Sequence, residues 1–191
     1  VFRIESNVVT NRRRFLLSAL CLPAAADVLS ARGPTRVLLI RHAEKTGNKA
    51  DAHLNARGYE RAAALVRLFP ARFEPPRFIF ASHASAHSNR PVETVTPLAR
   101  ALRLKIDTRY RNEDYAGLAR HLLSGPAYSR QTVLVCWHHG NLPRLAAALG
   151  AAHPPSPWPD TQFDRVWELN YRDGDTNFED LPQRLLPGDS Q

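Results

Sequence analysis

The sequence predicts an α/β fold, a three-layer α/β/α sandwich in which a mostly parallel sheet carries helices on both faces. Three observations predict it. From Arg36 onward, short apolar runs alternate with segments of helical period. Two of those runs, Val37–Ile40 and Val133–Trp137, are continuously apolar, as strands buried on both faces are. The length of 191 residues, with 43% hydrophobic content, suits one domain with an adequate core.

The expected strands are Arg36–Ile40, Arg77–Ala81, Leu104–Asp107, Thr132–Trp137 and Arg165–Tyr171, the last as an alternating edge strand. Between the first two, residues 56–69 carry Tyr59, Ala62, Ala63, Leu65, Val66 and Phe69 at helical spacing, with Arg57, Glu60, Arg61 and Arg67 on the outside. That helix should stop at Pro70, because proline disfavours helical geometry in the residue before it. Pro91 and Pro143 stand where first-turn prolines open helices, and Pro97 should kink or restart the helix that continues through Leu98–Leu102. Residues 33–180 form the expected domain, and 181–191, with Pro182 and Pro187, read as a loose tail.

Residues 1–32 have a different character. Asn11-Arg-Arg-Arg-Phe-Leu-Leu17 precedes the apolar stretch Ser18–Ala26 and polar Asp27, the three-part layout of an export signal, with an apolar part too short to span a bilayer. The paired arginines before Phe15 resemble the twin-arginine type, so the expected location is the periplasm, or the cytoplasm if the leader is not processed. Cleavage near Ala26 removes four arginines and one glutamate and lowers the formal charge from +8 to +5. The remaining basic residues are dispersed, without the aromatic-interleaved stripe of a single-strand binder, so no nucleic-acid partner is expected. Nor is stable membrane insertion expected after processing. Cys21 lies in the leader, which leaves Cys136 without an internal disulfide partner.

The chemistry concentrates where apolar strands end. Arg36-Val-Leu-Leu-Ile-Arg-His42 delivers Arg41 and His42 to the carboxyl end of the sheet, where open α/β sheets bind ligands. A guanidinium grips phosphate oxygens with a planar fork, and a neutral imidazole nitrogen can attack phosphorus. Arg90 opens a helix after the polar loop Ser82–Asn89, where backbone donors and the helix dipole already favour an anion. Thr132–Trp137 ends in His138-His139-Gly140. Alternation along a strand admits one of the two histidines to the crevice, and His139, beside Gly140, is the expected one.

Arg41-His42-Ala43-Glu44, the helix entry Leu54–Ala62, Arg90 with Glu93-Thr94, and His139-Gly140 together resemble the histidine phosphatase superfamily, which includes phosphoglycerate mutases and acid phosphatases. The resemblance runs from about Arg36 to Leu149. It implies a phosphoglycerate mutase-like sandwich, His42 as the phosphorylated nucleophile, and Arg41, Arg90 and His139 as the anion pocket. It also offers Asn48 as a phosphate contact and Glu113 as the proton donor to the leaving oxygen. Asp114 is the rival donor, and both acids equally suit the N-terminus of the following helix. No metal and no cofactor are expected, since two arginines and a second imidazole supply the positive charge.

Two departures from the family pattern affect the pocket rim. A longer loop bearing His83 and His87 replaces the usual Ser-Pro-Leu before the second arginine, and Trp137 precedes the histidine pair. His83 is a candidate substrate contact; a metal site built from His83, His87 and His138 lacks any regular ligand spacing. The aromatics of Trp158–Tyr171 read as core. The expected function is a metal-independent phosphomonoester hydrolase acting on a small-molecule or surface phosphomonoester of the envelope. A phosphate-binding protein with little turnover and a phosphomutase are the alternatives, and the oligomeric state is not legible.

Overall fold

The computed structural model describes residues 1–2, 33–48 and 50–191. The leader and Cys21 lie outside the described residues. The elements run β1 (Arg36–Arg41), α1 (Ala56–Ala71), β2 (Phe78–Ala81), α2 (Arg90–Leu102), β3 (Ile106–Asp107), α3 (Tyr115–Ser124), β4 (Thr132–Trp137), α4 (Leu142–Ala148), β5 (Arg165–Arg172) and β6 (Asp175–Pro182). The six strands form one sheet in the order β3-β2-β4-β1-β5-β6. β1, β2, β3 and β4 pair in parallel, and β5 joins β1 and β6 antiparallel.

Strand alternation divides the core into two layers. Val37, Leu39, Phe80, Val133, Val135 and Trp137 face one side, where Leu118 and Leu122 of α3 and Leu142 and Leu145 of α4 cover them. Leu38, Ile40, Ile79, Leu134 and Cys136 face the other, against Leu65 and Leu68 of α1 and Val95 and Leu98 of α2. β1 and β4 are therefore apolar at successive positions because both faces are buried, each such side chain contributing about 1.5–3 kcal/mol. The expected three-layer α/β/α sandwich is the observed one.

Several expectations differ in detail. Helical geometry in α1 breaks at Phe69, the residue before Pro70, as steric restriction requires. Its buried stripe, however, runs through Gly58, Arg61, Ala62, Leu65, Leu68 and Phe69. Arg61 is thus inside and Tyr59, at 49% exposure, is outside. α2 continues through Pro97 as one helix. β5 is internal, because β6 covers it through a hairpin turn at Asp173-Gly174, both residues having positive φ. The segment 181–191 is packed against the domain: Gln183, Leu186 and Asp189 are buried, and the Asp189 carboxylate takes two bonds from Arg61 (2.7 and 2.9 Å). A buried guanidinium needs such a partner, which explains why this polar stretch does not trail free.

Candidate active site

The register of the two central parallel strands builds the site. Ile40 lies opposite Cys136 and Arg41 opposite Trp137, so the next residues, His42 and His138, continue side by side from the α1/α2 face. The His42 amide donates to the Trp137 carbonyl (3.0 Å), and the two imidazoles meet edge to face with ring centres 5.3 Å apart. Arg41 and His139 leave from the opposite face, with the same parity as Leu39 and Trp137. The histidine beside His42 is therefore His138. One member of the pair does join His42, but alternation counted from the buried cysteine selects the first, and the glycine after the second has no bearing on it.

His42 is 1% exposed. Its Nδ1 lies 2.8 Å from the carbonyl oxygen of Ala43. A carbonyl only accepts, so Nδ1 carries the hydrogen and Nε2 presents its lone pair. Burial, reinforced by the charges of His138, Arg41 and Arg90, pushes the His42 pKa down to about 2, so the ring is neutral at ordinary pH. Burial also lowers His138 to about 4. Thr94 locks the loop that follows His42 onto α2: its hydroxyl accepts from the Ala43 amide (2.9 Å) and donates to the Arg90 carbonyl (2.8 Å).

Two guanidinium groups bring positive charge to this end of the sheet. Arg90, in the first turn of α2, donates from Nη1 to the Asp51 carbonyl (2.8 Å) and has its Nε buried with no partner among the described residues. Arg41 is 1% exposed; Nη1 reaches three carbonyls of the 159–162 segment, while Nε and Nη2 are buried with no partner among the described residues. Burial lowers its pKa to about 10, a sign of a charge without a carboxylate bonded to it. His139 Nε2 donates to Asp160 Oδ1 (2.7 Å). Burial and the Arg41 charge lower the pKa of His139 as well.

Glu113 is exposed and sits close enough to His138 for its charge to favour the imidazolium. The Trp137 indole anchors the preceding residue, donating to the Asn112 carbonyl (3.1 Å), and Asn141 donates to the same oxygen (3.2 Å). The tryptophan that departs from the family pattern thus fixes the loop carrying the acid. Asp114 flanks α3 without a side-chain capping bond.

Asn48 and His83 are engaged in their own loops. The Asn48 side chain accepts from the Ala50 amide (3.0 Å), and His83 Nδ1 donates to the Thr108 carbonyl (3.0 Å). His83 lines a cavity of about 710 Å³ along β2 and β3, with Phe78, Phe80 and Tyr128 among its walls. The structure also contributes residues that pattern reading passed over. Phe163 lies over Arg41 and 6.1 Å from His42, and Asp160 pairs with His139. Both come from a loop between Trp158 and β5 whose aromatics read as core; Trp158 and Trp167 are core, with ring centres 4.4 Å apart, and Phe163 is not.

A conserved-family model, the histidine phosphatase superfamily (branch 1), matches residues 37–116. Among solved structures, the protein histidine phosphatase SixA complexed with tungstate is similar at a TM-score of 0.57 and 14% identity, covering 78% of this chain and 97% of its own. A phosphoserine phosphatase variant from Entamoeba histolytica in complex with phosphoserine is similar at 0.54 and 12% identity, covering 79% of this chain and 98% of its own. No curated protein sequence matches the chain. The matched segment, which holds Arg41, His42 and Arg90, is similar to the histidine phosphatase superfamily, and the fold is the one seen in these solved phosphatases.

Proposed function

We propose that this protein is a phosphomonoester hydrolase that works without a metal, through a phosphohistidine formed on His42. The observation that carries this reading is the buried neutral His42, with Nδ1 committed to the Ala43 carbonyl and Nε2 left as a nucleophile beside guanidinium groups that no carboxylate hydrogen-bonds. In the first step the Nε2 lone pair forms a bond to phosphorus as the bond to the ester oxygen breaks. Glu113, supported by its approach to His138, supplies the proton to the departing oxygen. In the second step water gives a proton back to the Glu113 carboxylate and attacks phosphorus, the P–N bond breaks with its electron pair returning to Nε2, and inorganic phosphate is released. Arg41, Arg90 and the histidine pair stabilise charge on the phosphoryl oxygens throughout, the main task of a protein in phosphoryl transfer.

The leader motif supports a substrate in the cell envelope, a small molecule or a surface-displayed phosphomonoester. The test is turnover of a generic aryl phosphate in excess chelator. Steady release of inorganic phosphate is expected. Phosphate binding with no turnover would make the protein a binding protein, and transfer to a second hydroxyl in preference to water would make it a mutase.

A further inference from the structure

We infer that the segment Trp158–Phe163 is a positioning strap for Arg41, and that Phe163 is the side chain that sets the plane of its guanidinium. Arg41 Nη1 donates to the carbonyls of Pro159 (3.0 Å), Asp160 (2.8 Å) and Gln162 (3.0 Å), all within this short segment. The Phe163 ring covers the guanidinium carbon, with its centre 3.9 Å from Cζ. Three acceptors on one nitrogen and a ring on one face fix both position and tilt. What remains is the edge formed by Nε and Nη2, buried and without a partner among the described residues, and that edge carries the two parallel N–H bonds that match a phosphate.

The strap is itself anchored. The Trp158 indole donates to the Gln162 carbonyl (2.8 Å), the Gln162 amide donates to the Pro159 carbonyl (3.1 Å), and Trp158 packs on Trp167 of β5. The strap holds Arg41 with peptide dipoles and an aromatic face. Its one carboxylate, Asp160, is turned to His139. Arg61 shows the contrasting arrangement, since Glu44 and Asp189 both bond to its guanidinium and neutralise it. Neutral partners keep the charge of Arg41 available to a ligand while removing its freedom to rotate, which is electrostatic preorganisation.

This inference rests on Arg41 as a phosphate ligand, and Phe163 acts through it without being a catalytic residue. Inorganic phosphate is the probe, titrated against the full chain by calorimetry. Phe163→Leu keeps a branched apolar side chain and loses the aromatic face, and should weaken phosphate binding about thirtyfold, the size of a desolvated cation–π contact, with the fold retained. Phe163→Tyr should restore most of the affinity. In an Arg41→Ala background, Phe163→Leu should add no further loss. Wild-type affinity in Phe163→Leu, or an equal loss in the Arg41→Ala background, would overturn the inference. A second readout needs no ligand: solvent exchange of the Arg41 Nε–H, followed by NMR, should be slow in the wild type and fast in Phe163→Leu. Unchanged exchange would overturn the strap. Failure of the wild type to bind phosphate, with the exchange effect present, would instead contradict the phosphatase reading alone.

Discussion

Two buried arginines show how residue chemistry separates a charge neutralised by bonded carboxylates from one held by peptide carbonyls. Arg61 is 2% exposed and Arg41 is 1% exposed. Burial opposes the charge of Arg61, yet the Asp189 and Glu44 carboxylates overcome it and hold its pKa above the ordinary value. Arg41 has no such neutralisation, and its pKa falls. Arg90 resembles Arg41, held by a backbone carbonyl with its pKa lowered by burial. Arg90→Ala should therefore lower kcat/KM about a hundredfold or more, the usual scale for a preorganised contact to developing charge. Arg90→Lys should rescue poorly, because lysine keeps the charge and loses the fork. Steady-state kinetics on an aryl phosphate read both; near-wild-type activity in the lysine variant would make Arg90 a distant steering charge. Arg41, His42 and Arg90 were legible in the sequence because each stands at a strand end or helix start. Phe163 and Asp160 were not, because a loop residue's approach to the site depends on tertiary packing that no local pattern encodes.

At the scale of elements, the site depends on how closely α1 approaches the loop leaving β1. The Asn55 side chain caps α1 by accepting from the Gly58 amide (2.8 Å), and the Asn55 amide donates to the Glu44 carbonyl (3.0 Å). A Cβ on Gly58 would lie 2.3 Å from that same carbonyl oxygen, which is backbone and cannot swing aside. Gly58→Ala should destabilise the protein by about 3 kcal/mol, at the upper end of overpacking costs, and should also lower kcat because Glu44 is two residues from His42. Thermal melts and kinetics on one sample check both, and a neutral substitution would show that the helix is free to shift. Most elements were legible because their period and their prolines point the same way. β6 was not, because Asp175–Pro182 is mostly polar and only partly buried. The Asp173-Gly174 pair before it was a usable hairpin signal, since that dipeptide favours the turn in which both central residues have positive φ.

The whole molecule closes around a sheet whose central strands, β4 and β1, carry two histidines that are neutral in the fold. That has a consequence for acid stability. An unfolded chain protonates its histidines below about pH 6.5, whereas folded His42 resists protonation down to about 2. The unfolded state thus binds more protons, and stability falls as the pH drops through 6.5. Between pH 7 and pH 5 the loss from His42 is about 2 kcal/mol, with His138 acting in the same direction. Denaturant midpoints should fall over that interval, and should fall less in His42→Ala. An equal fall in both proteins would mean that His42 is not a buried neutral group.

The central claim, that His42 is the phosphorylated nucleophile, is tested most directly by rapid quench of the enzyme with a phosphomonoester followed by mass spectrometry under basic conditions. A single acid-labile, base-stable phosphoryl group on the peptide containing His42 is expected, absent from a folded His42→Ala variant that also has no turnover. Phosphohistidine at another position, or undiminished turnover in His42→Ala, would contradict it.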